Sequence, residues 1–330
     1  MGAHRGGSVT RRSFLKVSAG VLMVSGLGIP RTVRAGNTRG LATMIDLSRC
    51  DGCSKLNEPR CVTVCRDKNL GIIPDPVSPM PKLLPRGKTE DWSNKKHVIN
   101  RLTPYNFIYV QQTVVEYRGE QKTIFIPRRC MHCNNPACAT ICPFAANHKY
   151  ENGAVVIDHD LCFGGAKCRM VCPWEIPQRQ SGVGIYLKIM PTLAGNGVMY
   201  KCDLCNDLLR KGQNPACIDA CPQDAMTIGS YNNIKKAAEQ RAAEVGGFVY
   251  GMKENGGTGT FYVSPVPFDI LNNAIDKGPG KPHLGPVQRA MAAMSALEKS
   301  VVFSPVIGLA AGIAGALSVL SRKEKGDTDD

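Results

Sequence analysis

The sequence has few aromatic residues and lacks the short motifs of common enzyme classes. Aromatic residues make up 6% of its 330 residues, and its tryptophans are Trp92 and Trp174, which argues against a large aromatic-packed enzyme core. The glycine-rich pieces at 256–259 and 278–280 match neither the dinucleotide fingerprint nor a P-loop, so we predict loops there. Glycine, leucine and charge show no fixed period, which excludes collagenous, coiled-coil and repeat folds.

The composition excludes several further classes of protein. Hydrophobic residues make up 43% and charged residues 21%, so the chain is neither disordered nor a polytopic membrane protein. Its length allows two or three domains. The net charge is +14, but no basic stripe is interleaved with aromatic residues, so we predict no nucleic-acid partner.

The first 35 residues lack Asp and Glu, and they have the layout of a signal peptide. They carry six Lys or Arg residues, an apolar stretch over 17–29 and a small-residue cleavage site ending at Ala35. The segment around Arg11 and Arg12 (TRRSFLK) resembles the twin-arginine export signal, which addresses proteins that leave the cytoplasm already folded. A basic N-terminal helix on a cytosolic protein is the alternative.

A charge-free stretch near the other end predicts a membrane anchor. Residues 301–320 contain no charged side chain, and 20 helical residues are long enough to cross a hydrocarbon layer of ~30 Å. We therefore predict a transmembrane helix over 298–321 and a cytoplasmic tail over 322–330, because Arg322, Lys323 and Lys325 follow directly. A buried helix of a soluble domain is the alternative.

Cysteine is the residue in excess, and it falls into four groups. The total of 15 is odd, which rules out complete pairing into intramolecular disulfides. Groups one, two and four follow one rule, a Cys-x-x-Cys pair, a spacer and then Cys-x-x-x-Cys; group three keeps the rule with Gly165 in place of its second cysteine. The groups are Cys50, Cys53, Cys61 and Cys65; Cys130, Cys133, Cys138 and Cys142; Cys162, Cys168 and Cys172; and Cys202, Cys205, Cys217 and Cys221.

This spacing is typical of iron-sulfur clusters. A Cys-x-x-Cys turn places two thiolates on one cluster, and cysteines at i and i+4 on a helix can reach clusters on either side of it. Prolines at 143, 173 and 222 are predicted to end the short helices, whereas Cys65 is followed by Arg66. Three other uses of cysteine fit less well. Zinc ribbons lack the third and fourth cysteines at this spacing, and the odd total excludes complete disulfide pairing. Covalent haem needs a histidine directly after a Cys-x-x-Cys pair, and none is present.

Histidine ligation of the Rieske type is conceivable near these groups. His132, His148 and His159 lie in or near them. Because the cysteine complement of the second group is already full, we predict solvated or hydrogen-bonding histidines instead.

The second and fourth groups carry a resemblance to a known family. The segments RCMHCNNPAC at 129–138, KCDLC at 201–205 and PACIDACP at 215–222 resemble motifs of the four-cluster, ferredoxin-like subunits of periplasm-facing respiratory oxidoreductases. That family includes the beta subunits of formate dehydrogenase and nitrate reductase and the electron-transfer subunit of hydrogenase-2. The resemblance covers about residues 44–270, and the hydrogenase-2 type is the most similar, with the formate dehydrogenase beta subunit as the alternative.

The resemblance implies how the groups pair: groups one and four together supply the ligands of two clusters, and groups two and three supply those of the other two. The implied ligand sets are Cys50, Cys53, Cys61 and Cys221; Cys65, Cys202, Cys205 and Cys217; Cys130, Cys133, Cys138 and Cys172; and Cys142, Cys162 and Cys168. The last set has three thiolates, and the nitrate reductase beta subunit, which similarly lacks one cysteine there, holds a 3Fe-4S cluster. We therefore expect three 4Fe-4S clusters and one 3Fe-4S cluster. A fourth iron on a non-cysteine ligand and a lost cluster are the alternatives.

The fold expected from this resemblance is α+β, with two interleaved bacterial-ferredoxin-like domains. Residues 36–70 with 195–230 form the first domain and residues 126–180 the second, while residues 71–125 form an insertion. A β-hairpin is predicted inside the insertion from about 107 to 126. Residues 231–297 form a C-terminal extension, in which 233–245 is predicted to be an exposed helix and 251–297 to wrap a partner or link to the anchor.

The function expected is an electron wire on the periplasmic face of the cytoplasmic membrane. The partners implied are a catalytic subunit, either a hydrogenase or a molybdopterin enzyme, and a polytopic quinone-reactive membrane subunit. The resemblance places the group-three cluster nearest the membrane. We expect the chain itself to be non-catalytic; a stand-alone enzyme that uses an open iron as a Lewis acid is the alternative.

Overall fold

The computed structural model describes residues 40–81, 89–189 and 197–291. The chain divides into residues 1–38 and residues 39–330, and all described residues belong to the second unit. The signal peptide predicted over 1–35 and the anchor predicted over 298–321 lie outside the described residues. Among the helices that are described, none is both long and apolar enough to cross a membrane.

Short helices and strands alternate along the described chain, which agrees with the expected mixture of both. The strands are β1 (Leu41–Asp46), β2 (Tyr109–Tyr117), β3 (Glu120–Arg128), β4 (Asn147–Lys149), β5 (Val155–Ile157), β6 (Gln178–Gln180), β7 (Val198–Tyr200), β8 (Met226–Ser230), β9 (Phe248–Tyr250) and β10 (Thr260–Ser264). The α-helices are α1 (Arg60–Asn69), α2 (Ala137–Thr140), α3 (Lys167–Met170), α4 (Tyr186–Ile189), α5 (Asn206–Leu209), α6 (Ala216–Asp219), α7 (Tyr231–Glu244) and α8 (Phe268–Ala274). Single 3₁₀ turns occupy Leu70–Ile72, Ser93–Lys95 and Glu254–Gly256.

A four-stranded sheet pairs a strand from the beginning of the described chain with three strands from its last third. Its strand order is β8-β1-β10-β9. Strand β1 is antiparallel to β8 and parallel to β10, with Thr43 opposite Thr260. All five residues of β10 are buried. The prediction that 251–297 wraps a partner or links to the anchor included no strand, whereas this segment supplies an inner strand of the sheet.

The predicted hairpin is confirmed. Strands β2 and β3 pair along their whole length across the two-residue turn Arg118-Gly119. Both turn residues have positive φ, 57° and 77°, as the type I′ turns that match the twist of paired strands require.

The predicted helix after the fourth cysteine group is also confirmed, but one of its faces is buried. Helix α7 packs on β1, β8 and β10. Its side chains at i, i+3 or i+4 spacing are buried on that sheet: Tyr231, Ile234, Ala238 and Ala242. The many Lys, Glu and Arg residues on the opposite face explain why the sequence suggested exposure.

Four helices carry the Cys-x-x-x-Cys segments. Helices α2, α3 and α6 each end two residues before the second cysteine of their segment, and the prolines at 143, 173 and 222 follow that cysteine. Helix α1, where Arg66 stands instead of proline, continues to Asn69. The absence of proline therefore gives α1 another turn beyond Cys65.

An ion cluster joins the part of the insertion that begins at residue 89 to residues that follow the third cysteine group or lie within it. The carboxylate of Glu90 accepts two hydrogen bonds from Arg169, at 2.6 and 2.7 Å, and one from Arg179 at 2.7 Å. Burial alone would raise the pKa of Glu90, but the two guanidinium groups outweigh it and hold that pKa below its usual value. The contact attaches the insertion beside helix α3.

Candidate iron-sulfur sites

The fifteen cysteines line four separate cavities. Site A is lined by Cys50, Cys53, Cys61 and Cys221; site B by Cys65, Cys202, Cys205 and Cys217; site C by Cys130, Cys133, Cys138 and Cys172; and site D by Cys142, Cys162 and Cys168. The structure thus brings together the same four sets of cysteines that the resemblance implies.

The four loops that begin the cysteine groups share a left-handed residue at their third position, and in two of them the fourth residue, Cys53 or Cys205, also has positive φ. The residue at the third position of each turn has positive φ, and these residues are Gly52 (65°), His132 (46°), Gly164 (65°) and Leu204 (61°). This left-handed position turns backbone N–H groups towards the sulfur atoms. The N–H of Leu204 donates to Cys202 Sγ at 3.4 Å, and the N–H of Gly164 donates to Cys162 Sγ at 3.5 Å. The group-three loop therefore keeps the left-handed third residue of the others although it lacks the second cysteine.

Each helical Cys-x-x-x-Cys segment contributes to two sites. Cys61 lies in site A and Cys65 in site B, and both belong to helix α1. The same holds for Cys217 and Cys221 between B and A, for Cys138 and Cys142 between C and D, and for Cys168 and Cys172 between D and C. Sites A and B are thereby adjacent, as are sites C and D.

Contacts between loops make sites B and C neighbours. His132 belongs to the site C loop, but its Nε2 lies 3.6 Å from Sγ of Cys202, which lines site B. The guanidinium Nη1 of Arg129, directly before the site C loop, lies 3.9 Å from the same sulfur. The sites therefore form a continuous row in the order A, B, C, D.

Amide side chains that the sequence analysis did not single out also donate to sulfur. Asn255 Nδ2 donates to Cys133 Sγ at 3.3 Å, and Asn69 Nδ2 lies 3.6 Å from Cys65 Sγ. Asn69 could have been found from its i+4 spacing after Cys65 on a helix. No local signal identifies Asn255, because it reaches site C from 122 residues away.

The cysteines are suited to iron rather than to disulfides or a single ion. All fifteen are unpaired. Burial raises the pKa of Cys50 to about 11 and that of Cys133 and Cys168 to about 12, so thiolates need a cationic partner at neutral pH. Within the described residues, no group of three or more His, Cys, Asp or Glu side chains is arranged to hold one metal ion. The three or four cysteines that line each cavity suit a multi-iron cluster.

Site D differs from the others in its second ligand position. A Cβ atom added at Gly165 would meet no atom within 4 Å. The side chains that line this cavity besides its cysteines include Phe144, Phe163 and Met199, and no Asp, Glu or His is among the described residues that do so. Among the described residues that line site D, none therefore offers a carboxylate or imidazole in the place of the missing thiolate.

The expected histidine roles are partly met. His132 is buried and hydrogen-bonded rather than solvated, because its Nδ1 accepts from the N–H of Val155 at 3.0 Å. His159 packs against Tyr200 with ring centroids 4.5 Å apart, and burial lowers its pKa. Neither histidine lines a cavity together with a cysteine set.

Comparison with known proteins gives two matching family models and several relatives. Both models are described as a 4Fe-4S dicluster domain, and they match residues 49–146 and 121–231. The chain is 28% identical to the hydrogenase-2 operon protein HybA of Escherichia coli O157:H7, over 80% of this chain and 83% of that protein. It is 31% identical to the B subunit of anaerobic dimethyl sulfoxide reductase of Escherichia coli K12, over 60% of this chain and 78% of that protein. Identity to the probable anaerobic dimethyl sulfoxide reductase subunit YnfG of the same strain is also 31%, over 58% and 74%.

Proposed function

This chain is a member of the family of 4Fe-4S dicluster proteins that includes HybA and the B subunit of anaerobic dimethyl sulfoxide reductase, and on this premise we propose that it is an electron-transfer subunit of a respiratory oxidoreductase. The observation that carries the proposal is the row of four cysteine-lined cavities, A to D. Clusters held in such a row exchange one electron at a time with their neighbours. The chain then needs no substrate site of its own.

We further propose that the cysteines lining each cavity are the cluster ligands. Sites A, B and C each offer four thiolates, which suits a closed 4Fe-4S cluster. Site D offers three, and no carboxylate or imidazole among the described lining residues replaces the fourth. This favours a 3Fe-4S cluster over a 4Fe-4S cluster with a non-cysteine protein ligand.

Iron analysis and EPR test this assignment. Intact protein should contain about 15 irons, and the oxidised sample should show the EPR signal of a 3Fe-4S cluster. A diamagnetic oxidised protein with about 16 irons would require a non-cysteine fourth ligand at site D. A value of about 12 with no 3Fe-4S signal would mean that site D holds no cluster.

The partners we propose are a catalytic subunit and a quinone-reactive membrane subunit. The relatives' names point to a hydrogenase or a dimethyl sulfoxide reductase as the catalytic partner. Large apolar side chains are exposed on residues next to the site D ligands, including Phe144, Leu161 and Met170. An exposed apolar group of this kind suits a protein interface, and it supports site D as the membrane-side end. Purification from solubilised membranes, followed by identification of the associated subunits, decides between the two enzymes.

The location we propose is the periplasmic face of the cytoplasmic membrane. Changing Arg11→Lys together with Arg12→Lys should leave the precursor in the cytoplasm, because the twin-arginine pair is the proposed export signal.

Deleting residues 301–330 with the signal intact should release the rest of the protein into the soluble periplasmic fraction, since this stretch is the proposed anchor. Fractionation and immunoblotting measure both. If the truncated protein stayed on the membrane without its partner subunits, the anchor assignment would be wrong.

A stand-alone iron-sulfur enzyme is the second candidate, and site D is the observation that favours it. A cluster with an open coordination position can act as a Lewis acid. Apart from cysteine, the described lining of site D supplies Lys167 as its titratable residue, which is a poor acid-base set for such chemistry. Turnover by the isolated chain, without a catalytic partner, would establish this alternative.

A further inference from the structure

Two buried cations lie between the central sites B and C. The side chains belong to Arg129 and Lys201, which are only 2% and 5% exposed. Each one directly precedes the first cysteine of a loop, Cys130 of site C and Cys202 of site B. Burial of a charged side chain costs several kcal/mol unless nearby charge offsets it, so both positions require an explanation.

The two side chains are placed reciprocally. Arg129 precedes the site C loop but lines site B, where its Nη1 is 3.9 Å from Cys202 Sγ. Lys201 precedes the site B loop but lines site C, beside Cys130 and Cys138. The cation that precedes the site C loop therefore lines site B, and the cation that precedes the site B loop lines site C.

Backbone and hydroxyl oxygens hold the cations in these places. Arg129 Nη2 donates to Thr43 Oγ1 of strand β1 at 2.5 Å. Lys201 Nζ donates to the carbonyl oxygens of Val155 and Cys202. In the described part of the chain, neither cation forms an ion pair with a carboxylate.

The cysteines supply the missing negative charge. Lys201 lines site C beside Cys130 and Cys138, and it is followed directly by Cys202 of site B. Arg129 lines site B together with Cys202 and Cys217. A cluster with thiolate ligands carries negative charge, which offsets the cost of burying a cation beside it.

His132 adds a neutral donor to this boundary. Its Nδ1 accepts from the N–H of Val155, so the hydrogen of the neutral ring is on Nε2, which faces Cys202 Sγ. The boundary between B and C thus presents two fixed cations and one N–H donor.

We propose that Arg129 and Lys201 are reciprocal tuning residues, each raising the reduction potential of the cluster in the site that its side chain lines. This inference rests on the electron relay proposed above. A cation close to a cluster stabilises the reduced form, which carries one more negative charge than the oxidised form. Both central clusters are then reducible enough for electrons to pass from one half of the row to the other.

Redox titration of the full chain in its complex, monitored by EPR, tests the proposal. Arg129→Gln should lower the potential of the site B cluster, and Lys201→Gln mainly that of the site C cluster. The expected change is tenfold or more in the reduction equilibrium, which is about 59 mV for a one-electron couple. Signals are assigned with Cys205→Ser for site B and Cys133→Ser for site C. Arg129→Met and Lys201→Met serve where a Gln variant fails to fold, because apolar replacements of a buried ion are often tolerated.

Two control variants separate the buried charge from its surroundings. Arg49→Gln changes a cation that also precedes a cysteine, but this side chain is 51% exposed and paired with Asp46 at 3.6 Å. Arg128→Gln changes a cation that is 3% exposed and donates to the carbonyls of Pro282 and His283 instead. Both control variants should leave the reduction potentials of the clusters at B and C within about 20 mV of the wild type, which is under a threefold change in the reduction equilibrium. The charge-conserving variants Lys201→Arg and Arg129→Lys should likewise keep the wild-type potentials.

The outcomes distinguish this inference from the relay itself. Clusters present at sites B and C with unshifted potentials in the Gln and Met variants would overturn the tuning role and leave the relay intact. Equal shifts in the control variants would also overturn it, because the effect would then be independent of the cation between the sites. Absence of clusters from wild-type protein would instead remove the proposed function.

Discussion

Gly165→Cys should convert site D from a 3Fe-4S to a 4Fe-4S cluster. The group-three loop has the left-handed third residue of the other loops, Gly164 at φ 65°. A Cβ at position 165 would meet no atom within 4 Å, so the new side chain costs little in packing. The oxidised sample should then lose its 3Fe-4S EPR signal and gain about one iron.

The same variant should slow electron delivery to quinone. An added thiolate increases the negative charge of the cluster, which lowers its potential. A fall of about 59 mV shifts a one-electron equilibrium tenfold towards the oxidised cluster. If site D is the membrane-side end, quinone reduction should slow while the catalytic partner's activity with an artificial dye stays unchanged.

Gly165→Ala is the matched control, because it fills the same open space without supplying a ligand. It should keep both the 3Fe-4S signal and the rate of quinone reduction. Persistence of the 3Fe-4S signal in Gly165→Cys would contradict the ligand position. A parallel fall in quinone and dye activities would contradict the placement of site D at the membrane end.

The local parts of this structure could be predicted from the sequence. The Arg118-Gly119 turn and the alternation around it predict the hairpin, and the Lys-, Ala- and Arg-rich residues before Gly246 and Gly247 predict helix α7. The cysteine sets came from a resemblance rather than from spacing alone, because spacing does not say which group pairs with which. The structure brings those sets together in four cavities.

The long-range parts could not be predicted in the same way. Strand β10 pairs with β1 across 217 positions of sequence at Thr43 and Thr260, and five residues without a strong alternating pattern give no sign of that partner. Arg49, Arg129 and Lys201 all precede a cysteine, but only the last two are buried. Their different environments follow from tertiary packing, which local sequence does not encode.

Ending the chain after residue 259 should abolish folding, whereas ending it after residue 297 should not. The shorter chain lacks β10, which lies between β1 and β9 in the sheet. It also loses the fully buried side chains Phe261, Tyr262, Val263, Val266 and Leu271. At about 1.5–3 kcal/mol each, their burial contributes roughly 10 kcal/mol, which is comparable to the whole stability of a typical domain. Soluble yield, iron content and circular dichroism of both chains measure the difference.

A pair of point substitutions tests the same strand without deleting it. Phe261 of β10 is 0% exposed and packs edge-on against Tyr231 of α7, with ring centroids 5.5 Å apart. Phe248 of the neighbouring strand β9 is 38% exposed. Phe261→Ala should therefore cost about 3–5 kcal/mol in the free energy of unfolding, and Phe248→Ala less than about 1 kcal/mol. Equal losses for the two variants, or a folded and iron-loaded chain that ends after residue 259, would show that β10 is not required for the fold.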